Sequence, residues 1–562
     1  MPEVPRIPRV AIVGGGMAGL AAARVLEDAR LEAGDIDWVL FEQEARFGGK
    51  VHTVRRDGFV VEGGPDSAIV EKPWPIQMAH RLGIGDRLLD SNEDVRRSFV
   101  YAGGRLHELP EGIILMVPTR LVPFALSGLL SWPGKLRMAL DLALPRGGAA
   151  RGATRGGRTS WAATRGADTP GGGAAAGGVS GVAAATPDES LAAFVRRRLG
   201  REALDRIAEP IVAGIHAGDP EQMSVQATFP MFLQMEREHR SLIVAMLKRR
   251  RARARAAAGR ALRATARSSG TTPAGTTPAD ATIPRSYFYS FRTGLADLSD
   301  AMVASLPAER LRGGEPVRSL ACAAPARHAG TEGGGYVLEL AGGQRERADA
   351  VVLAPPAWAS AELLRAVVPS AAADLASIPY VTTATVSLAF RRDQVHHPLR
   401  GFGYVVPRAE GRGVMATTWS SSKFPHRAPE GHVLLRSFVG RAGLEASAQL
   451  DDDELTALVR RELREVLDIA AAPEFVEIFR WPRGMPQYRV GHTDLVARIE
   501  QAVAGVPGVE LAGGAYHGIG IGDCLREGAA AAERALEHVR GLPEDAVPPQ
   551  PGDLPAADGV AD

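Results

Sequence analysis

The residues best suited to chemistry in this sequence are a set of glycines and one carboxylate. Gly14-Gly15-Gly16-Met17-Ala18-Gly19 follows the apolar run Arg9 to Val13 and leads into the helical pattern Leu20 to Glu27. Strand, glycine turn and helix in that order make a dinucleotide cradle. Gly14 permits the turn, Gly16 lets a pyrophosphate approach the backbone, and Gly19 allows helix and strand to pack closely. The helix N-terminus then offers amide donors and the positive end of its dipole to phosphate oxygens. The next strand, Asp37 to Phe41, ends at Glu42, 23 residues beyond Gly19 and beside Gln43. A carboxylate there suits a ribose 2′-hydroxyl and disfavours a 2′-phosphate, hence NADP.

Further glycine segments move the expectation from NAD to FAD. Arg46-Phe47-Gly48-Gly49-Lys50 brings a second glycine pair within reach of the same dinucleotide, and Glu62-Gly63-Gly64-Pro65-Asp66-Ser67 supplies another turn. Far downstream, Gly508 to Gly514 reads as strand and turn. It leads through Gly518-Ile519-Gly520-Ile521-Gly522-Asp523 into a helix from Cys524 to Val539. A second helix N-terminus is thus available for the rest of a long cofactor.

The elements that must hold these segments follow from periodicity and composition. Strand signals recur at Tyr336 to Leu340, Ala350 to Leu353, Thr382 to Phe390, Gly403 to Val406 and His432 to Phe438. Leu191 to Ala208 has helical apolar spacing, preceded by a start signal at Thr186 to Ser190. Parallel βαβ units at the two ends with a mainly antiparallel sheet between them make the fold class α/β plus α+β. Two segments, 146–187 and 250–285, are so rich in Gly, Ala, Arg, Ser, Thr and Pro that they read as disordered insertions, as does the tail 542–562.

Bulk composition excludes several classes. With 66 basic against 65 acidic residues in 562, the net charge of +1 gives no global footprint for nucleic acid. Nine basic residues between Lys248 and Arg267 could attract anionic headgroups or nucleic acid, or form a solvated loop, and no aromatics interleave them. Cys322 and Cys524 belong to no metal-ligand cluster, so no metal is expected and a reducing cytoplasm fits. No export signal precedes Val10. The apolar stretch 112–130 carries Pro118, Arg120 and Pro123; it is a poor membrane span, but could cover an apolar pocket or touch a membrane surface at the inner face.

The chain resembles the oxygen-dependent porphyrinogen oxidases of heme biosynthesis, within the flavin amine oxidase superfamily. The motifs are Gly64-Pro65-Asp66-Ser67, Ser131 to Arg137, Glu209 to Asp219, His239-Arg240-Ser241-Leu242, Lys423-Phe424-Pro425-His426, Arg480-Trp481, Met485-Pro486-Gln487-Tyr488 and the terminal glycine segment. The resemblance implies a discontinuous Rossmann-like FAD-binding domain (1–95, 290–365 and 482–541), a mixed-sheet substrate domain (96–110 and 366–481) and a helical subdomain (111–289). It implies non-covalent flavin contacts at Gly14 to Gly19, Glu42, Gln43, Gly49, Lys50, Gly64 to Ser67, Val317, Trp481, Ile519, Gly520 and Ile521.

The implied reaction removes six electrons and six protons from a porphyrinogen, with oxygen as acceptor. The Gram-positive type it resembles most acts on coproporphyrinogen III, and protoporphyrinogen IX is the alternative substrate. Lys72, Arg96 and Arg97 are candidates for binding propionates, although Ser98 stands where relatives often carry the arginine. His216, in what reads as a Gly-Ile-His-Ala-Gly loop, replaces an aromatic and is a substrate-binding candidate or a packing histidine. No general base is assigned, and the oligomeric state is left open. An amine oxidase, a carotenoid desaturase or a non-catalytic FAD-retaining scaffold are the rival classes. Porphyrin fluorescence separates them.

Overall fold

The computed structural model describes residues 7–110, 113–114, 116–118, 121–145, 188–252, 255, 286–323 and 335–542. The two compositional insertions and the tail lie outside these residues, apart from the first few of the second segment and Leu542.

A five-stranded parallel sheet anchors the molecule, in the spatial order Leu311–Gly313, Asp37–Glu42, Arg9–Val13, Ala350–Leu353, Val509–Leu511. Every strand is parallel to its neighbours, so both faces must be covered and the strands are apolar on both sides. Val10, Ala11, Ile12, Val351 and Val352 are accordingly buried. On one face the helix Met17–Ala33 packs against Ile521–Arg540, joined by small residues: Ala18, Ala21, Ala22, Ala531, Ala532 and Ala535. Both helices start earlier than the sequence pattern suggests, because the glycines before them already adopt cap geometry.

A seven-stranded sheet forms the second layer, in the order Phe475–Pro486, Tyr380–Arg391, His432–Val439, Val414–Trp419, Gly403–Val405, Ser98–Ala102, Arg105–Glu108. It is antiparallel except where Gly403–Val405 runs parallel to Ser98–Ala102. The strand Phe475–Pro486 crosses the expected domain boundary at 482, since its register with Tyr380–Arg391 holds as far as Pro486 opposite Tyr380.

The helical layer corrects one expectation. Leu191 to Ala208 is not a single helix: Leu191–Arg198 ends, Gly200 turns at φ 97°, and the chain resumes through Arg201–Ala203 and a π-helical turn, Leu204–Ala208, into Glu209–His216. A side chain at Gly200 would also come within 2.6 Å of Arg137. The apolar period survives the break because both pieces bury against one cluster containing Phe194, Leu204 and Ile207. Ser190 caps the first piece by accepting from the Ala193 amide at 3.1 Å.

Candidate active site

At the head of the parallel sheet the glycine turn is fixed by its own backbone. The Gly14 amide donates to Phe41 O at 2.8 Å and the Gly48 amide to Gly15 O at 2.8 Å. Glu42 accepts from the Gly15 amide at 2.6 Å and, through its other oxygen, from the Glu44 amide at 3.0 Å. The carboxylate therefore holds the turn. Gln43, beside it, is exposed. No side chain caps the helix at Gly16, and a Cβ there would meet nothing within 4 Å. The helix N-terminus thus has no side chain on its first amides and room beside Gly16, as a diphosphate site requires.

Lys50 follows Gly49 in the same recess. Among the described residues its ammonium has no hydrogen-bond or ion-pair partner, and the surrounding protein lowers its pKa by desolvation, opposed by the nearby Cys524 thiol. Lys50 is solvent-exposed, so a cation open to the recess fits a cofactor that brings its own negative charge.

The turn at 63–67 is gripped from the seven-stranded sheet. Gly63 O accepts from Thr385 Oγ1 at 3.0 Å, from Trp481 Nε1 at 3.0 Å and from Arg436 at 3.2 Å, and Arg436 also bonds Gly64 O. At Gly64 a Cβ would fall 1.7 Å from Lys50 O, so no other residue fits. Beyond Pro65, Asp66 accepts from Lys423 Nζ with both oxygens at 3.0 Å and from Ser67 Oγ at 2.7 Å. Burial opposes the charge of Asp66, but Lys423 and Arg436 hold its carboxyl well below the usual range. Beside it, Glu62 is paired with Arg427 at 3.0 Å. Val317 begins the strand Val317–Cys322 and packs against the sheet's apolar cluster.

The tail completes the recess. Tyr488 Oη donates to Gly514 O at 2.8 Å and accepts from the Gly518 amide at 2.9 Å, pinning the segment that carries Ile519, Gly520 and Ile521. Asp523 caps the last helix from its first turn, accepting from the Gly520 amide at 3.2 Å and pairing with Lys72. Lys72 Nζ would lie 3.5 Å from a Cβ at Gly520, which sets this lysine at the helix N-terminus. Cys524 does not start that helix. It lies in its first turn, half-buried, its thiol pushed up to about 11 mainly by burial, while Cys322 is exposed.

His216 is not in a loop. It is the last residue of the helix Glu209–His216, which closes on left-handed Ala217 at φ 48°. Its pKa is pushed down to about 4, first by burial and then by the charge of Lys72. Gln487 Nε2 donates to His216 O at 3.0 Å, and its neighbour Tyr488 grips Gly514 and Gly518, which sets the end of this helix beside the glycine tail that Lys72 also meets. Arg96 and Arg97 stand apart from it: both are exposed, Arg96 paired with Glu93 at 3.1 Å and Arg97 lying 3.7 Å from Glu108. Thr385, Arg436, Lys423 and Tyr488 had no role in the sequence reading. A polar residue inside an apolar strand, as in Val433-Leu434-Leu435-Arg436, is the signal that could have singled out Arg436.

The model of the flavin containing amine oxidoreductase family matches residues 17–536. The chain belongs to that family. The coproporphyrinogen III oxidase of Bacillus subtilis is 33% identical over 94% of this chain and 98% of its own length. The coproporphyrinogen III oxidase of Propionibacterium freudenreichii is 34% identical over 94% and 90%, and the chloroplastic protoporphyrinogen oxidase of Nicotiana tabacum 29% over 92% and 83%. A crystal structure from Exiguobacterium, assigned as a protoporphyrinogen oxidase, superposes with a TM-score of 0.72 at 30% identity, covering 95% of this chain and all of that one. As in other members of the family, the cofactor is FAD, and the two helix N-termini, Lys50 and the Gly63–Ser67 turn fit it. Among the described residues no helix is long and apolar enough to cross a membrane, and no cluster of His, Cys, Asp and Glu could hold a metal.

Proposed function

We propose that this protein oxidises coproporphyrinogen III to coproporphyrin III with oxygen as acceptor, in heme biosynthesis. The observation that carries this reading is end-to-end likeness to coproporphyrinogen III oxidases, at 33% identity over 94% of the chain. Bound flavin supplies the two-electron chemistry, so three cycles account for six electrons. The polypeptide binds, orients and excludes water. Glu42, Lys50, the helix N-termini and the Gly63–Ser67 turn hold the cofactor, and Val317 and Trp481 back it. Lys72 offers a cation to a substrate propionate from inside the recess, whereas Arg97 could serve only from the surface. The segments 1–95, 290–365 and 482–541 act as the FAD-binding unit, with the strand Phe475–Pro486 shared with the substrate domain.

Likeness to plant protoporphyrinogen oxidases and to the Exiguobacterium structure favours protoporphyrinogen IX as the second reading. The deciding measurement is kcat/KM for both porphyrinogens at matched oxygen, with substrates prepared anaerobically. A clear preference for protoporphyrinogen replaces the first reading by the second.

We further propose peripheral contact with an anionic membrane surface at the cytoplasmic face. Val122, Leu126, Trp132, Leu136, Leu140 and Leu142 are exposed together in the helical subdomain, with Trp132, Leu136 and Leu140 spaced four apart on one face. Lys135 ties the two short helices by donating to Ala125 O and Ser127 O at 2.7 Å. The helical segment carrying exposed Arg249, Arg250 and Arg251 starts beside this patch, where Ser241 Oγ donates to Asp141 at 2.6 Å. Exposed apolar side chains on one face, with a basic helix packed on the same subdomain, suit an anionic lipid surface.

A further inference from the structure

Oxidation of a porphyrinogen removes protons as well as electron pairs, and among the described residues His216 has an imidazole with no hydrogen-bond partner to accept them. We propose that His216 is the proton acceptor for the pyrrole N–H groups of the substrate. This rests on the porphyrinogen oxidase reading above.

The candidate bases around the cofactor turns are mostly committed. Glu62 is paired with Arg427, Asp66 with Lys423, and Asp523 with Lys72 and the Gly520 amide. Glu209, one turn or more before His216 on the same helix, is paired with Arg441 at 3.0 Å and accepts from the Arg408 amide at 2.9 Å. Neither ring nitrogen of His216 has a hydrogen-bond partner among the described residues. The ring meets Phe229 edge to face at 5.7 Å, a contact that fixes its plane and leaves both nitrogens unused.

The backbone around this imidazole is pinned from two sides. His216 O accepts from Gln487 Nε2 at 3.0 Å, and the Ala217 amide donates to Ala213 O at 2.8 Å. Gly214 and Ile215, on the same turn, are exposed, so the end of the helix opens onto accessible space. Burial first and then the charge of Lys72 keep the imidazole neutral and able to accept at neutral pH.

The balance per electron pair is one hydride and one proton. Bound flavin would supply the acceptor for the hydrogen and both electrons of a C–H bond at a bridging carbon. Over the three pairs, two of the protons leave pyrrole N–H groups and pass to His216, the electrons of those N–H bonds becoming C=N bonds of the lengthening conjugated system, and the third proton leaves the fourth bridging carbon. The imidazolium passes its proton on when oxygen takes up the electron pair and two protons to leave as peroxide.

His216→Phe removes the acceptor while keeping an aromatic ring, and His216→Gln keeps polarity should the first variant fold poorly. Both are read as FAD-loaded protein in three ways: rate of flavin bleaching by coproporphyrinogen without oxygen, solvent deuterium effect on that rate, and coproporphyrin binding by fluorescence quenching. The expected result is bleaching slowed about 100-fold, with a changed solvent effect and product binding within about threefold. Bleaching within threefold of the parent protein in a flavin-loaded variant overturns the proposal. Equal loss of product binding and bleaching also overturns it, since His216 then only binds. If the parent protein itself is not bleached by either porphyrinogen, the functional reading fails instead, and this proposal with it.

Discussion

The indole N–H of Trp481 donates to Gly63 O at 3.0 Å, joining the substrate sheet to the turn that carries Gly64, Pro65, Asp66 and Ser67. Because Thr385 and Arg436 bond the same oxygen, Trp481→Phe leaves it satisfied. The loss should be about 1 kcal/mol, seen as a roughly fivefold weaker FAD dissociation constant in flavin titrations. An unchanged constant removes Trp481 from the cofactor's support.

Glu42 holds the glycine turn, and the proposed reading also gives it the cofactor's ribose. Glu42→Ala should therefore lose FAD on dialysis and also lower the stability of the apoprotein, by about 1–2 kcal/mol for two amides left without their acceptor. Glu42→Gln should recover part of both. Full flavin occupancy in the alanine variant after dialysis contradicts the assignment.

Lys423 and Asp66 form a buried pair at 3.0 Å. Lys423→Met strands the carboxylate and should cost about 3–5 kcal/mol in urea unfolding. The double variant with Asp66→Asn should recover most of it. Because the folded pKa of Asp66 is depressed, its contribution is complete above the ordinary carboxylate range and fades as pH falls below it. A single variant as stable as the parent shows that the pair does no structural work.

His492 stacks on Tyr488 at 4.1 Å and its pKa is pushed down from 6.5 to about 4, chiefly by burial. Between those values the unfolded chain binds the extra proton, so stability should fall as pH drops from about 6.5 to about 4, by about 2–3 kcal/mol from this residue. His492→Phe keeps the stack and should flatten that part of the melting-temperature profile. A parallel slope in the variant excludes His492 as the source.

Binding to anionic vesicles should depend on the exposed apolar patch. Leu136→Glu, 67% exposed in the parent, should leave the melting temperature within about 1 °C, as surface changes do. It should reduce cosedimentation with phosphatidylglycerol vesicles severalfold. Equal sedimentation of both proteins overturns the membrane proposal.

The nucleotide-binding half of the molecule was legible because glycine spacing reports backbone geometry directly. Gly14, Gly16 and Glu42 stand where their order required, and the strand Val509–Leu511 joins Ala350–Leu353 as the two-ended pattern implied. Substrate residues were less legible. Arg97 and Lys72 look alike as basic residues, but one faces Glu108 at the surface and the other meets Asp523 beside the cofactor, a difference made by contacts 451 residues apart in sequence. His216 read as a loop residue because Gly214 and Gly218 flank it, yet the helix continues through Gly214. The break at Gly200 was hidden by an apolar period that both helical pieces share.

The Tyr488 hydroxyl and the strand Val509–Leu511 also bear on how the chain is made. The sheet's first strand pairs with residues 350–353, which in turn wait for 509–511. Until that last strand emerges from the ribosome, Ala350–Leu353 is an open edge whose apolar residues can pair with another chain. No contiguous N-terminal portion ending before residue 509 can close the cofactor cradle. Nascent protein must therefore stay soluble without flavin until residues 509–511 are available, which places its greatest need for chaperones before that strand emerges.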